Sequence, residues 1–106
     1  MPTVYKRAAA RFDLVEQYVY LAENVSMDIA ERFLINAEFS FSDLLEHPYV
    51  GAPIILRNPA LSGLRKWQVK EFSESLIFYI PRNIDITVVR VLNAAQDWWN
   101  LLGIKK

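Results

Sequence analysis

The sequence predicts an α+β fold, an antiparallel sheet with an N-terminal helical hairpin packed on one face, in the order β-α-α-β-β-β plus a short C-terminal helix. Three observations predict it. Apolar residues recur at spacings of three and four as far as residue 46, the period of amphipathic helices. From about residue 64 they alternate or run continuously, the pattern of strands. Between the two halves, Pro48, Gly51, Pro53, Pro59 and Gly63 leave mostly loop and turn. One domain over residues 1–106 accounts for this length, and 53% hydrophobic residues supply a core without disulfide staples.

A short strand at 3–6 opens the chain. Residues 8–24 read as the first helix, with Leu14, Tyr18, Leu21 and Val25 forming one stripe. Lys6 and Arg7 stand at its start, where the helix dipole disfavours cations. Ser26 is a good N-cap for a second helix over 27–46, with Asp28 in its first turn. Its core stripe is Ala30, Phe33, Leu34, Ala37, Phe41, Leu44 and Leu45. So short a link makes the two helices an antiparallel hairpin. Ile29, Ile35 and Phe39 lie off the main stripe, so they either widen the core face or meet another chain.

Residues 64–72 alternate, with Trp67 and Val69 on one face, which places Trp67 in the core under the helices. Ser73, Glu74 and Ser75 read as a hairpin turn, and Leu76–Ile80 as a central strand apolar on both faces. Pro81, Arg82 and Asn83 turn the chain into a last strand over 85–92. Residues 94–102 have helix-forming composition and carry Trp98 and Trp99. Adjacent helical residues are about 100° apart, so one indole is expected inward and the other at the rim.

The composition excludes several chemistries. No cysteine is present, which removes disulfides and thiolate metal sites and fits a reducing cytoplasm. Twelve basic and twelve acidic side chains cancel, which argues against direct nucleic-acid binding, since phosphate contacts need a basic surplus. Two local basic groups remain, Lys6, Arg7 and Arg11, and Arg57, Arg65, Lys66 and Lys70, both expected as solvated charge. The longest apolar run is far below the ~20 residues of a membrane span, and the first residues lack the apolar core of a secretory signal. The single histidine, His47, has no metal-ligating company, and no triad spacing or phosphate-cradling glycine loop occurs. No catalytic residue, metal or cofactor is therefore expected.

Several landmarks nevertheless line up. They are Ala10, Arg11, Phe12, Asp13 and Leu14 with Tyr18, Leu21 and Ala22; Leu44, Leu45, Glu46, His47 and Pro48 with Gly51 and Pro53; Asn58–Leu61 leading into Gly63–Val69; Phe78 and Tyr79; and Val89–Asp97. In this order the chain resembles the RelE/ParE toxin superfamily over nearly its whole length. Ribonuclease members of that superfamily use dispersed basic residues with a tyrosine or histidine. Here the middle strand, Ser75–Tyr79, holds no cation, and Asn93, Ala94, Ala95 and Gln96 stand where such members carry basic residues. Asn93 also replaces a histidine common at this point in ParE-like members.

The resemblance therefore implies the ParE-like branch: the cytoplasmic toxin of a type II toxin–antitoxin pair, binding DNA gyrase without catalysis and neutralised by a cognate ParD-like antitoxin. The alternatives are a ribosome-dependent mRNA endoribonuclease using Arg57, Arg65, Lys70 and Arg90, and a non-toxic relic that only binds an antitoxin. Antitoxin binding is expected at Ile29, Ile35 and Phe39, with Arg65 and Arg90 as partners for carboxylates. Target binding is expected at Trp98 and Trp99, together with the tail Leu101, Leu102, Gly103, Ile104, Lys105 and Lys106, which is apolar and then basic.

Overall fold

The computed structural model describes residues 1–102. Strand β1 (Val4–Lys6) leads into helices α1 (Ala8–Asn24) and α2 (Met27–Glu46). A two-residue strand β2 (Ala52–Pro53) and a 3-10 turn (Pro59–Leu61) follow, then β3 (Arg65–Val69), β4 (Phe72–Arg82), β5 (Asp85–Asn93) and the short α3 (Trp98–Leu101). The hairpin is antiparallel and packs on a five-stranded sheet of order β1-β5-β4-β3-β2.

The expected antiparallel sheet is in fact mixed, because β1 pairs with β5 in parallel, Val4 opposite Ile86 and Lys6 opposite Val88. Tight turns force antiparallel neighbours only within β3–β5. The first strand returns through two helices, a connection long enough to permit a parallel neighbour. The other two reversals also differ in place. The β3–β4 turn is Lys70 and Glu71, with Glu71 at φ 65. Ser73, Glu74 and Ser75 instead fill a register jump, where Gln68 faces Leu76 but Val69 faces Phe72. The β4–β5 turn is Asn83 and Ile84, with Asn83 at φ 54. Pro81 stays within β4, which it can do because β3 pairing stops at Tyr79 and leaves that stretch an edge.

The sheet separates two cores. On the helix side, Phe33, Ala37, Phe41 and Leu44 of α2 pack with Ile77, Tyr79, Ile86, Val88 and Val91. On the other side, Phe78, Ile80, Val89 and Leu92 are covered by Leu61, Leu64, Leu102 and the partly buried Ile54, Leu56 and Trp98. Trp67 corrects its expected core position. It faces the helix side opposite buried Ile77, yet remains 38% exposed. β2 pairs only with Arg65 and Lys66, so nothing flanks β3 beyond that point.

Ser26 caps α2 as expected, its Oγ accepting from the Ile29 N–H at 3.1 Å. Arg7, at the N-cap of α1, makes no side-chain cap bond.

Candidate partner-binding surfaces

Part of the hairpin's apolar surface is exposed to solvent. Ile35 and Phe39 are 56% and 58% exposed, and with Leu34, Glu38 and Ser42 they line a shallow groove of about 410 Å³ on α2. Ile29 is half-buried near the start of the same helix. On α1, Phe12, Val15 and Val19 are exposed as well, opposite buried Ala10, Asp13 and Leu14. Sequence reading missed this second stripe. Its signal is present in the spacings of three and four, beside the stripe that contains Leu14.

The two arginines expected beside these residues are held elsewhere. Arg65 Nη1 donates to the Tyr49 carbonyl at 3.1 Å and to the Gly51 carbonyl at 2.7 Å, and its guanidinium lies 5.0 Å from the centre of the Tyr49 ring. It fastens the loop after α2 to the sheet margin. The same loop is gripped by Tyr79, whose hydroxyl donates to the Pro48 carbonyl at 2.8 Å and accepts from the Gly51 N–H at 3.0 Å. Burial pushes the Tyr79 hydroxyl pKa above its ordinary value, against the opposing pull of the Gly51 hydrogen bond and the Arg65 charge. A Cβ on Gly51 would stand 2.5 Å from that hydroxyl, so only glycine fits there.

Arg90 is bound to Asp13, a residue whose role was not legible. Its Nε and Nη2 donate to the carboxylate at 2.7 and 2.8 Å, a two-pronged grip. That hydrogen bond holds the Arg90 guanidinium above its usual pKa, against partial burial, with the Asp13 and Glu16 charges adding to the rise. Asp13 also accepts from the Val91 N–H at 3.0 Å, and Gln17 Nε2 donates to the Val91 carbonyl at 2.8 Å. β1 pairing ends at Val88. One turn of α1 therefore supplies the hydrogen bonds that a neighbouring strand would have made to β5 beyond that point. Gln17 Oε1 in turn accepts from the Ser75 hydroxyl at 2.6 Å.

Above this network opens a cleft of about 790 Å³, bounded by α1, the β3–β4 turn and the end of β5. Glu16, Glu71 and Glu74 line it beside Tyr20, Phe33 and Phe72. Carboxylates there repel a phosphate backbone. Arg57 and Lys70 are exposed on separate elements, the loop before the 3-10 turn and the β3–β4 turn, while Arg65 and Arg90 are engaged as described. The four cations of the ribonuclease alternative thus sit on different elements, with two already committed. His47 is exposed just past α2, and no group of three His, Cys, Asp or Glu side chains able to hold a metal lies among the described residues.

The two C-terminal tryptophans are both half-buried. Trp98 tilts onto Phe78 with ring centres 5.3 Å apart, and Lys66 Nζ lies 5.2 Å from the Trp98 ring centre. Trp99 meets Trp98 edge to face at 5.0 Å. The expected helix over 94–102 is reduced to Trp98–Leu101, because residues 94–96 turn at the end of β5, where the Gln96 side chain accepts from the Asn93 N–H. Of the expected target-binding tail, residues 103–106 lie outside the described residues.

A family model described as the ParE toxin of the type II toxin–antitoxin system, parDE, matches residues 4–98. No curated protein matches the sequence. Among solved structures, a chain from the chromosomal ParDE TA system from P. aeruginosa has a TM-score of 0.69. That match covers 88% of this chain and 96% of that chain at 15% identity, a likeness of fold.

Proposed function

This chain belongs to the ParE toxin family of type II toxin–antitoxin systems, and we propose that it acts by binding DNA gyrase, without catalysis, and is neutralised by a cognate ParD-like antitoxin. The family match carries the reading. The lack of a cation in the middle strand, Ser75–Tyr79, and the engagement of Arg65 and Arg90 with internal partners support binding over strand scission, where cations must be available to the phosphate. Its place of action on this reading is the cytoplasm, and among the described residues no helix is long and apolar enough to cross a membrane.

The antitoxin docks on the exposed Ile35 and Phe39 of α2, with Ile29 at the margin. Arg65 and Arg90 contribute positive potential more than new ion pairs, since each keeps an internal partner. Trp98 and Trp99 form the target-binding end. Trp98 covers Phe78 and Trp99 packs edge to face on Trp98, so Trp98→Ala and Trp99→Ala are made separately to divide binding from folding.

Expression of the chain alone in bacteria, followed by growth, DNA breaks and mRNA integrity, tests the reading. The expected result is growth arrest with DNA damage and intact transcripts, with one of the two tryptophan variants keeping its fold and antitoxin binding and losing toxicity. Codon-phased mRNA cuts would establish the ribonuclease instead, and unaffected growth the non-toxic relic.

A further inference from the structure

The outer face of α1 has the makings of a helix–helix seam that no described residue of the chain occupies. Ala8, Phe12, Val15, Val19 and Ala22 follow one another at spacings of four, three, four and three, the repeat that keeps one stripe against a neighbouring helix. All five are exposed or half-buried. Exposed Ile35 and Phe39 lie on the solvent side of the adjacent α2. Single apolar residues at a surface need no explanation, but a stripe along one helix with two more exposed side chains on its hairpin neighbour marks a contact.

The charges on this hairpin are also in the wrong places for an isolated one. Arg7 and Arg11 stand at the N-terminal end of α1, where the helix dipole opposes cations, and its first turn has no acidic residue. Asp43 and Glu46 stand at the C-terminal end of α2, where it opposes anions, and its last turn has no basic residue. The antiparallel hairpin brings these ends together. Yet the only ion pairs among the described residues are Lys6 with Glu38 and Arg90 with Asp13.

We propose that a second copy of this chain docks on the hairpin, the two hairpins stacking about a twofold axis that runs along the helices. That operation lays α1 of each copy antiparallel on α2 of the other, at equal height. Arg7 and Arg11 then meet the acidic end of the partner's α2, and both mismatches with the helix dipoles are relieved together. Phe12, Val15 and Val19 close on the partner's Ile35 and Phe39. A face two helices wide and ~25 Å long approaches the roughly 800 Å² per partner of a standard specific interface. The inference does not depend on toxicity. It does share Ile35 and Phe39 with the proposed antitoxin surface, so antitoxin and second copy exclude one another.

Sedimentation velocity on the purified full chain across a concentration series tests this without any toxicity readout. The expected result is a concentration-dependent dimer. Val15→Glu and Phe39→Glu should each weaken it by roughly tenfold or more, with circular dichroism and thermal melting showing that the exposed-site variants still fold. Arg11→Glu should weaken the dimer, and Arg11→Glu combined with Asp43→Arg should restore it. A chain that stays monomeric at about 100 µM, or a dimer indifferent to both glutamate substitutions, overturns the proposal. A double charge variant that fails to recover overturns the stacking direction.

Discussion

Helix α2 lies on the sheet through an apolar stripe running from Ala30 through Phe33 and Ala37 to Phe41 and Leu44. Helix α1 reaches it through fewer apolar residues, Ala10 and Leu14, and through the polar side chains of Asp13 and Gln17. The difference follows from what each helix covers. α2 crosses side chains on the sheet face, where dispersion and water exclusion suffice. α1 runs past the end of β1, where β5 offers an unpaired backbone N–H and carbonyl that must be satisfied. A helix that caps a strand edge needs directional polar groups facing inward. Its apolar residues are then free for the outside, which is where Phe12, Val15 and Val19 lie.

The largest effect is expected on the α2 side. Phe41→Ala removes a fully buried ring from the helix-side core and should cost about 3–5 kcal/mol in chemical denaturation. A loss near 1 kcal/mol would mean that the stripe is not what seats α2.

On the α1 side, Asp13→Ala leaves the Val91 N–H and the Arg90 guanidinium without their acceptor. The carboxylate is 4% exposed and the Arg90 side chain 23%. Discounting the buried-pair cost for that partial exposure gives about 2–4 kcal/mol. Hydrogen exchange sharpens the test, since the Val91 amide should lose protection selectively. If it stays protected, the carboxylate does not replace a strand.

Tyr79 ties the exit of α2 to the sheet, and its ionisation should be visible in alkali. A hydroxyl whose folded pKa is raised stabilises the fold fully below its unfolded value, about 10. That contribution is lost as pH rises through the folded value. Stability should therefore fall above pH 10, and Tyr79→Phe should flatten the fall. Tyr79→Phe should also cost about 1–3 kcal/mol at neutral pH, by leaving the Gly51 N–H unpaired. An unchanged alkaline slope in that variant would assign the loss to another group.

The helix starts give the smallest contrast. Ser26→Ala should cost about 1 kcal/mol by removing the α2 cap. Arg7→Ser should instead stabilise the chain by up to about 1 kcal/mol, supplying a cap and removing a cation from the positive end of α1. If both substitutions destabilise, Arg7 has a structural partner that the lone chain does not reveal, and the dimer is the first place to look.

Much of this was determined by the sequence alone. The extents of both helices, the Ser26 cap and every residue of the α2 core stripe follow from local rules, because helical period and capping depend on neighbours within a few residues. Both late hairpins were recognisable for the same reason, whereas Ile35 and Phe39, off that stripe, could have widened the core face or met another chain until the fold left them exposed.

The remaining features depend on contacts distant in the chain. Asp13 stood in the sequence only as a landmark of the resemblance, and its role emerges when β5, more than seventy residues away, brings Arg90 and Val91 against it. The parallel β1–β5 pairing, the exposure of Trp67 beside a two-residue strand, and the register jump at Ser73–Ser75 share that origin. Periodicity states which face of an element is apolar. Which strand stands beside it, and which backbone groups that strand leaves unpaired, is settled only when the sheet assembles.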